Sequence, residues 1–295
     1  MDRPDQGPRL PDFILAGAPR CGTTSLYYLL ASHPDVYLPE KKEQWFFYGD
    51  DVWEQGPQWY AEQFRMHGGR AMVGEATPLY YALPDAMRRM AEIVPKARIL
   101  LLLREPLSRA VSHYWFNVRK GNEALSMQQA MEADLAGTRP WRLPRGALNY
   151  VSLGMYHQRM QAVLEHFPRE RVHVLILEEL VADVERVFGD VCAFLGIPSL
   201  PGAGLSEANA DHWVSRRSKR LLYGGNPLVA LAGSLLPGGL KDRLKSMRDK
   251  VAGSSRRPET PSAVTRRLEE VYGPHNAALE QWLGREIPAW RRESQ

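Results

Sequence analysis

Residues 13–30 read Phe13-Ile14-Leu15-Ala16-Gly17-Ala18-Pro19-Arg20-Cys21-Gly22-Thr23-Thr24-Ser25-Leu26-Tyr27-Tyr28-Leu29-Leu30. The opening apolar run, Phe13 to Ala16, is that of a strand buried on both faces of a parallel sheet. A loop follows at once, from Gly17 to Thr24, and Ser25 to Leu30 reads as the first turns of a helix. A strand, a glycine loop and a helix together make a site for phosphate-like anions. The free N–H groups and the positive end of the helix dipole point at the ligand. Gly17 and Gly22 permit unusual backbone angles and close approach of the anion. Thr23, Thr24 and Ser25 add hydroxyl groups, and Cys21 sits among them as a small loop residue.

Working outward, the loop separates itself from that of an ATPase. A Walker A loop reads G-x-x-x-x-G-K-[ST]. Gly17 and Gly22 keep the glycine spacing, but Thr23 stands where the lysine belongs, and the basic residue, Arg20, lies inside the loop. A phosphatase loop, with a cysteine nucleophile and an arginine six positions on, also fails, because Tyr27 holds that place. The loop calls for an anion without the magnesium-linked phosphoryl chemistry of P-loop kinases.

The pattern G-x-x-[RK]-x-G-T-[TS]-x-L, carried by Gly17, Arg20, Gly22, Thr23, Thr24 and Leu26, resembles the 5′-phosphosulfate loop of sulfotransferases that use 3′-phosphoadenylyl sulfate (PAPS), in their bacterial and heparan-type branch. Three more blocks carry the same resemblance. Lys42-Glu43-Gln44-Trp45-Phe46-Phe47 resembles the K-E-x-x-F-F segment, whose glutamate is taken as the catalytic base. Arg98 to Tyr114 resembles the strand-loop-helix R-[DEN]-P-x-x-R-A-x-S-x-Y that holds the 3′-phosphate, which implies that role for Arg104 and Ser112. Gly154 to Leu180 resembles G-x-Y-x-x-x-L…F-P-R-E-x-x-x-V-L-x-x-E-x-L, with Met160 in place of the first leucine. Leu268 to Trp290 is similar to the closing helix. Glu75-Ala76-Thr77-Pro78 departs from the heparan-type E-K-[ST]-P, since Ala76 replaces the lysine. That weakens any transfer of the heparan enzymes' acceptor-site chemistry.

The resemblance implies a sulfuryl transfer from PAPS to a hydroxyl or amine of a small-molecule, sugar or lipid acceptor. The product nucleotide is adenosine 3′,5′-bisphosphate, and no metal is required. A sulfuryl group carries less charge than a terminal phosphoryl group, so fixed cations and loop amides suffice. Arg20 is the candidate clamp on the leaving group. Glu43 is the candidate base, although its charge pattern alone, Glu40-Lys41-Lys42-Glu43, is that of a solvated loop. Trp45-Phe46-Phe47 is expected to anchor that segment to the core. Lys42 reads equally as a sulfuryl contact or as the partner of a carboxylate. Glu75 is the alternative acid, or a structural partner. His113 points about 100° from Ser112 on a helix, so it reads as packing. Two other classes stay open: a P-loop-like phosphotransferase, and a nucleotide-binding scaffold without catalysis.

Composition sets looser limits. The chain has 295 residues, enough for one α/β domain with additions. With 38 basic and 34 acidic residues the formal charge is +4, too mild to indicate a nucleic-acid partner. Two cysteines, Cys21 and Cys192, make neither a metal site nor a disulfide framework. The first residues are polar and proline-rich, not a signal peptide, and no apolar run reaches the ~18 residues of a spanning helix. A soluble cytoplasmic protein is expected, and a homodimer stays open.

Strands are expected at Phe13–Ala16, Ala71–Gly74, Ile99–Leu103 and Val172–Ile176. Helices are expected at Pro84–Val94, Leu107–Arg119 and Tyr156–His166. Their alternation predicts a central parallel sheet flanked by helices, with a P-loop-like nucleotide core over residues 12–200 and ligands beyond the carboxyl ends of the strands. Residues 201–261 are rich in glycine, proline and basic side chains and read as an insertion or flap near the acceptor site. The apolar piece Pro227–Leu236 within it reads as a packed helix. Residues 262–295 are expected to form a C-terminal helix. Lys120–Asn149 and Ser206–Thr260, with Trp141, Arg142, Arg145, Trp213 and Tyr223 and with Tyr150 alongside, are expected to shape the acceptor pocket.

Overall fold

The computed structural model describes residues 7–139, 148–203 and 259–291. The flap residues 204–258, and with them Pro227–Leu236, Trp213 and Tyr223, lie outside the described residues, as do Trp141, Arg142 and Arg145.

The expected strands form as β1 (Phe13–Gly17), β3 (Met72–Ala76), β4 (Arg98–Leu103) and β5 (Val172–Ile176), joined by a short strand β2 (Val36–Tyr37) at one edge. They make one five-stranded sheet in the order β2-β3-β1-β4-β5, and every pairing is parallel. β1, β3 and β4 are buried almost throughout because helices cover both faces; this is why β1 and, after Arg98, β4 read as apolar runs, whereas β3 carries Glu75 in its interior. β2 has only two residues, too few for a periodic signal to show in the sequence. Gly74 is required where β3 meets β1: a Cβ there would stand 2.1 Å from the Phe13 ring.

The chain runs from β1 outward through β2 to β3, then crosses back to β4 on the other side of β1. The change of direction lies between β1 and β4. Parallel α/β sheets open a ligand crevice at that point, above the carboxyl ends of the strands. Two loops meet there, Gly17–Gly22 after β1 and Arg104–Glu105 after β4. The ladder between them continues past β1, since Ala18 N donates to Leu102 O at 2.9 Å.

Helix α1 (Thr23–Ala31) follows the first loop. Two short helices, α2 (Asp50–Trp53) and α3 (Gly56–Glu62), precede β3, and α4 (Pro84–Ile93) lies between β3 and β4. α5 (Pro106–Lys120) follows the second loop, with Pro106 in its first turn, where the absent N–H costs nothing. Glu105 caps it, accepting from Leu107 N at 2.8 Å and Ser108 N at 2.7 Å. α6 (Met127–Leu135), α7 (Tyr156–Leu164), α8 (Leu177–Ala182) and α9 (Val184–Leu195) complete the core region.

The closing helix α10 runs over Ser262–Leu283 and not to residue 295. Gly284, at φ 68°, ends it, and a single 3-10 turn follows at Pro288–Trp290. α10 packs Val264, Leu268 and Tyr272 into a second core cluster with Leu107, Ala110 and Tyr114 of α5 and Met127 and Met131 of α6. Glu178 ties the chain end to the second loop: its Oε1 accepts from Glu105 N at 3.0 Å and its Oε2 from Trp290 Nε1 at 3.1 Å. No described helix is long and apolar enough to cross a membrane.

Candidate active site

Two anion-facing elements build the site. In the first, Gly22 sits at φ 85° as the N-cap of α1, and no side chain caps the helix there. The amides of Thr23 and Thr24 therefore open the helix toward the crevice. Gly17 and Gly22 are needed for space as well as for backbone freedom. A Cβ on Gly17 would stand 2.7 Å from the Tyr81 ring, and one on Gly22 would stand 2.7 Å from Leu177 Cδ1. Cys21 is fully buried beneath the loop, and burial pushes its thiol up to about 11. It stays protonated at neutral pH and is not a reactive thiolate.

Arg20 lies across the crevice on α5. Its Nη2 donates to Ser112 Oγ at 3.4 Å, and its guanidinium stacks 4.6 Å above the Phe116 ring. Ser112 and Phe116 are four residues apart on one face of α5, so a single helix face holds the arginine by a hydroxyl and a ring. Phe116 went unnoticed in the sequence; its i+4 relation to Ser112 was the available signal. Arg104 comes from the second loop, half-buried, and among the described residues no carboxylate pairs with its guanidinium. Its backbone is held by Tyr156, whose hydroxyl donates to Arg104 O at 2.8 Å.

The Lys42–Phe47 segment closes the other side. Lys42 Nζ donates to Thr24 Oγ1 at 3.2 Å and stands 3.7 Å from Glu43 Oε1. Lys42 is thus the partner of a carboxylate and at the same time reaches a hydroxyl of the glycine loop. Burial pulls its ammonium pKa down, and the adjacent Glu43 carboxylate offsets part of that effect. The Glu43 side chain keeps 37% of its surface open. Arg20, Glu43 and Trp45 all occupy the left-handed region, at φ 69°, 68° and 60°. Such backbone costs roughly 1 kcal/mol or more per non-glycine residue, and it collects where surrounding structure over-determines the fold.

The surrounding structure at Glu43 is aromatic and acidic. Phe46 and Phe47 are buried, and Phe46 stacks on Tyr60 at 4.3 Å, the anchor expected from the sequence. Phe47 N donates to Tyr80 Oη at 3.4 Å. Glu75 lies inside β3 and not just beyond it, and it is 1% exposed. It accepts from Thr77 Oγ1 at 2.6 Å, from the Tyr60 hydroxyl and from the backbone of Gln44. Burial pushes its carboxyl up to about 6, and those hydrogen bonds hold it from going higher. Its lone pairs face protein donors, so Glu75 supports the Glu43 segment from below.

His113 and Tyr150, singled out in the sequence, fall in the core, and Arg109 lies with them. His113 is buried edge-on to Tyr150 at 5.0 Å. Tyr150 is itself fully buried, with its hydroxyl donating to Glu123 at 2.8 Å. It is a core residue and does not line a pocket. Arg109 is fully buried and donates to the carbonyl of Tyr150.

A glycine loop, a facing arginine and a lysine–glutamate segment stand together at the switch point of the sheet. The family model of the sulfotransferase domain matches residues 10–223. The chain belongs to the sulfotransferase family. A solved sulfotransferase from Alicyclobacillus acidocaldarius superposes with a TM-score of 0.66 at 25% identity, covering 96% of this chain and 100% of that one. Heparan sulfate glucosamine 3-O-sulfotransferase 6 of Homo sapiens is 27% identical over 95% of this sulfotransferase and 73% of its own length. A bifunctional heparan sulfate N-deacetylase/N-sulfotransferase of Caenorhabditis elegans is 24% identical over 97% of this chain, which spans only 31% of that relative. The membrane-associated sulfotransferase kil1 of Dictyostelium discoideum is 34% identical over 42% of this chain and 27% of its own length. This sulfotransferase is therefore an enzyme of sulfuryl transfer on a P-loop-like parallel sheet.

Proposed function

We propose that the chain moves the sulfuryl group of PAPS to a hydroxyl of a sugar-bearing acceptor, with Glu43 as the base. The observation that carries this reading is the meeting of Lys42, Glu43 and Thr24. Lys42 spans 3.2 Å to the loop hydroxyl and 3.7 Å to the carboxylate, so the proton acceptor stands beside the anion loop. Glu43 takes the proton of the acceptor hydroxyl as that oxygen attacks sulfur. The bond from sulfur to the bridging oxygen breaks, and adenosine 3′,5′-bisphosphate leaves. The α1 amides, Thr23, Thr24 and Ser25 hold the 5′-phosphosulfate. Lys42 and Arg20 neutralise the charge that builds on the bridging oxygen. Arg20 does this without giving up a proton, which suits a weakly basic phosphate leaving group. Arg104 and Ser112 hold the 3′-phosphate, an arginine with a hydroxyl.

Glu43 is preferred to Glu75 because a base must reach the substrate. Glu43 is partly open, whereas Glu75 is buried and engaged by Thr77, Tyr60 and Gln44. A glycan acceptor is supported by the heparan sulfate relatives. Ala76 departs from the heparan-type lysine, so the acceptor need not be heparan sulfate itself.

The test is sulfate transfer from PAPS to a panel of oligosaccharides, phenols and glycolipids, read by mass spectrometry, beside a binding comparison of PAPS with ATP plus magnesium. Transfer to a sugar with preference for PAPS is expected. Preference for ATP with magnesium would favour a phosphotransferase. Tight PAPS binding without transfer to any acceptor would favour a scaffold.

A further inference from the structure

The two anion loops come from different strands, yet one buried hydroxyl touches both. Tyr156 is the first residue of α7 and is 1% exposed. Its Oη stands 3.5 Å from Cys21 Sγ, inside the first loop. The same atom donates to Arg104 O at 2.8 Å and faces Arg104 N at 3.5 Å, in the second loop. A phenol has one proton to give, and it goes to the Arg104 carbonyl, the shortest of these contacts. With the phenol proton on Arg104 O, the Cys21 thiol is left to donate to the phenol oxygen at 3.5 Å, nearer than its other acceptor, Pro19 O at 3.8 Å, and the Arg104 N–H adds a weaker, longer contact. The hydroxyl is thus a three-way junction with each partner in its proper role. The ring is fixed from behind by Trp290, with centroids 5.8 Å apart.

We propose that Tyr156 is a positioning residue that sets the spacing between the two anion loops, so that the 5′- and 3′-phosphates of one nucleotide are bound together. The inference rests on the assignment of the 5′ group to the Gly17–Ser25 loop and the 3′ group to Arg104 and Ser112. The phenol touches neither phosphate. It links Cys21, one residue after Arg20, to the backbone that carries the Arg104 guanidinium. A ligand with both phosphates needs both loops at one separation, and a ligand with one phosphate needs only its own loop. Loss of the junction therefore weakens the bisphosphate selectively.

The experiment measures calorimetric affinities of the full chain for adenosine 3′,5′-bisphosphate, adenosine 5′-monophosphate and adenosine 3′-monophosphate. Tyr156→Phe keeps the ring against Trp290 and removes only the junction. Cys21→Ala cuts the same link from the other end and carries the test should the first variant not fold. In each folded variant, bisphosphate affinity should fall roughly 5- to 20-fold, the equivalent of one buried hydrogen bond, while each monophosphate changes by less than about 2-fold. The KM for PAPS should rise with kcat at saturation little changed. Equal losses for all three ligands would mean that the hydroxyl only supports the local fold, and that result overturns the inference. No loss in a folded variant overturns it too. A wild-type chain that binds the bisphosphate no better than the 5′-monophosphate instead refutes the underlying site assignment, and the inference falls with it.

Discussion

Glu43 and Arg20 are polar side chains on left-handed backbone at either side of one crevice, and their roles separate by substitution. Glu43→Gln keeps the shape and removes the proposed base. We expect kcat to fall roughly 10²- to 10⁴-fold with nucleotide affinity nearly intact. Arg20→Ala should lower both affinity and kcat, because in the proposed mechanism the guanidinium meets the phosphosulfate in the ground state and more strongly as charge develops. Arg104→Ala should raise the KM for PAPS more than it lowers kcat. Near-full kcat in folded Glu43→Gln would remove Glu43 as the base. Glu75 makes a separate prediction about stability. Burial raises its folded pKa to about 6, above the ordinary value of ~4.3. A carboxyl raised in this way contributes its stability below the unfolded pKa and loses it as pH climbs through the folded one. Relative to Glu75→Gln, the wild type should lose roughly 2 kcal/mol between about pH 4 and pH 6.5. A pH-independent difference between the two chains, measured by denaturant unfolding, would refute the buried ionisation.

At the scale of elements, the site depends on how each loop enters its helix. The first loop approaches α1 through two glycines, and Gly17 has the Tyr81 ring against it. Gly17→Ala forces a methyl group into a fully packed ring. A loss of roughly 1–3 kcal/mol is expected, with weaker nucleotide binding, since the displaced segment is the anion loop itself. Unchanged stability in thermal and chemical unfolding would show that Tyr81 can retreat. The second loop enters α5 through the Glu105 cap, which accepts two amides. Glu105→Ala should cost roughly 1–2 kcal/mol and loosen the Arg104 loop beside it. A rise in KM for PAPS larger than the change in kcat would record that loosening.

At the scale of the molecule, β1 and β4 are neighbours, so the two loops stand side by side and one ligand can span them. Ligand that binds only the folded state stabilises it by mass action. Adenosine 3′,5′-bisphosphate should therefore raise the melting temperature well above the effect of AMP at equal concentration; equal shifts would deny the second anion position. In the proposed mechanism the positive groups gathered there, Arg20, Lys42, Arg104 and the α1 amides, take the place of a divalent cation in neutralising charge. Turnover should persist in EDTA. Activity lost to EDTA and restored only by magnesium would count against a transfer run on fixed cations.

Much of this was legible in the order of residues alone. Phe13–Ala16 and Ile99–Leu103, and Val172–Ile176 apart from the half-buried His173, announce buried parallel strands because a sheet covered on both faces needs apolar residues along its strands, and that is a local property. The glycine loop and the Pro106 start of α5 are local for the same reason, since backbone angles and helix ends answer to adjacent residues. Contacts between distant segments were not legible. That Lys42 reaches Thr24, that Arg20 rests on Ser112 and Phe116, and that Glu75 holds Gln44 depend on which strands lie side by side. The two-residue strand β2 needed its partner β3 to be a strand at all. Tyr150 was expected to help shape the acceptor pocket and is core, because α5, α6 and α10 enclose it. The sequence determined where the glycine loop and the proline-started helix form, through backbone chemistry confined to a few adjacent residues. Only the tertiary structure decided which of them face one another, because that is set by the order of strands in the sheet and by the helices packed over it.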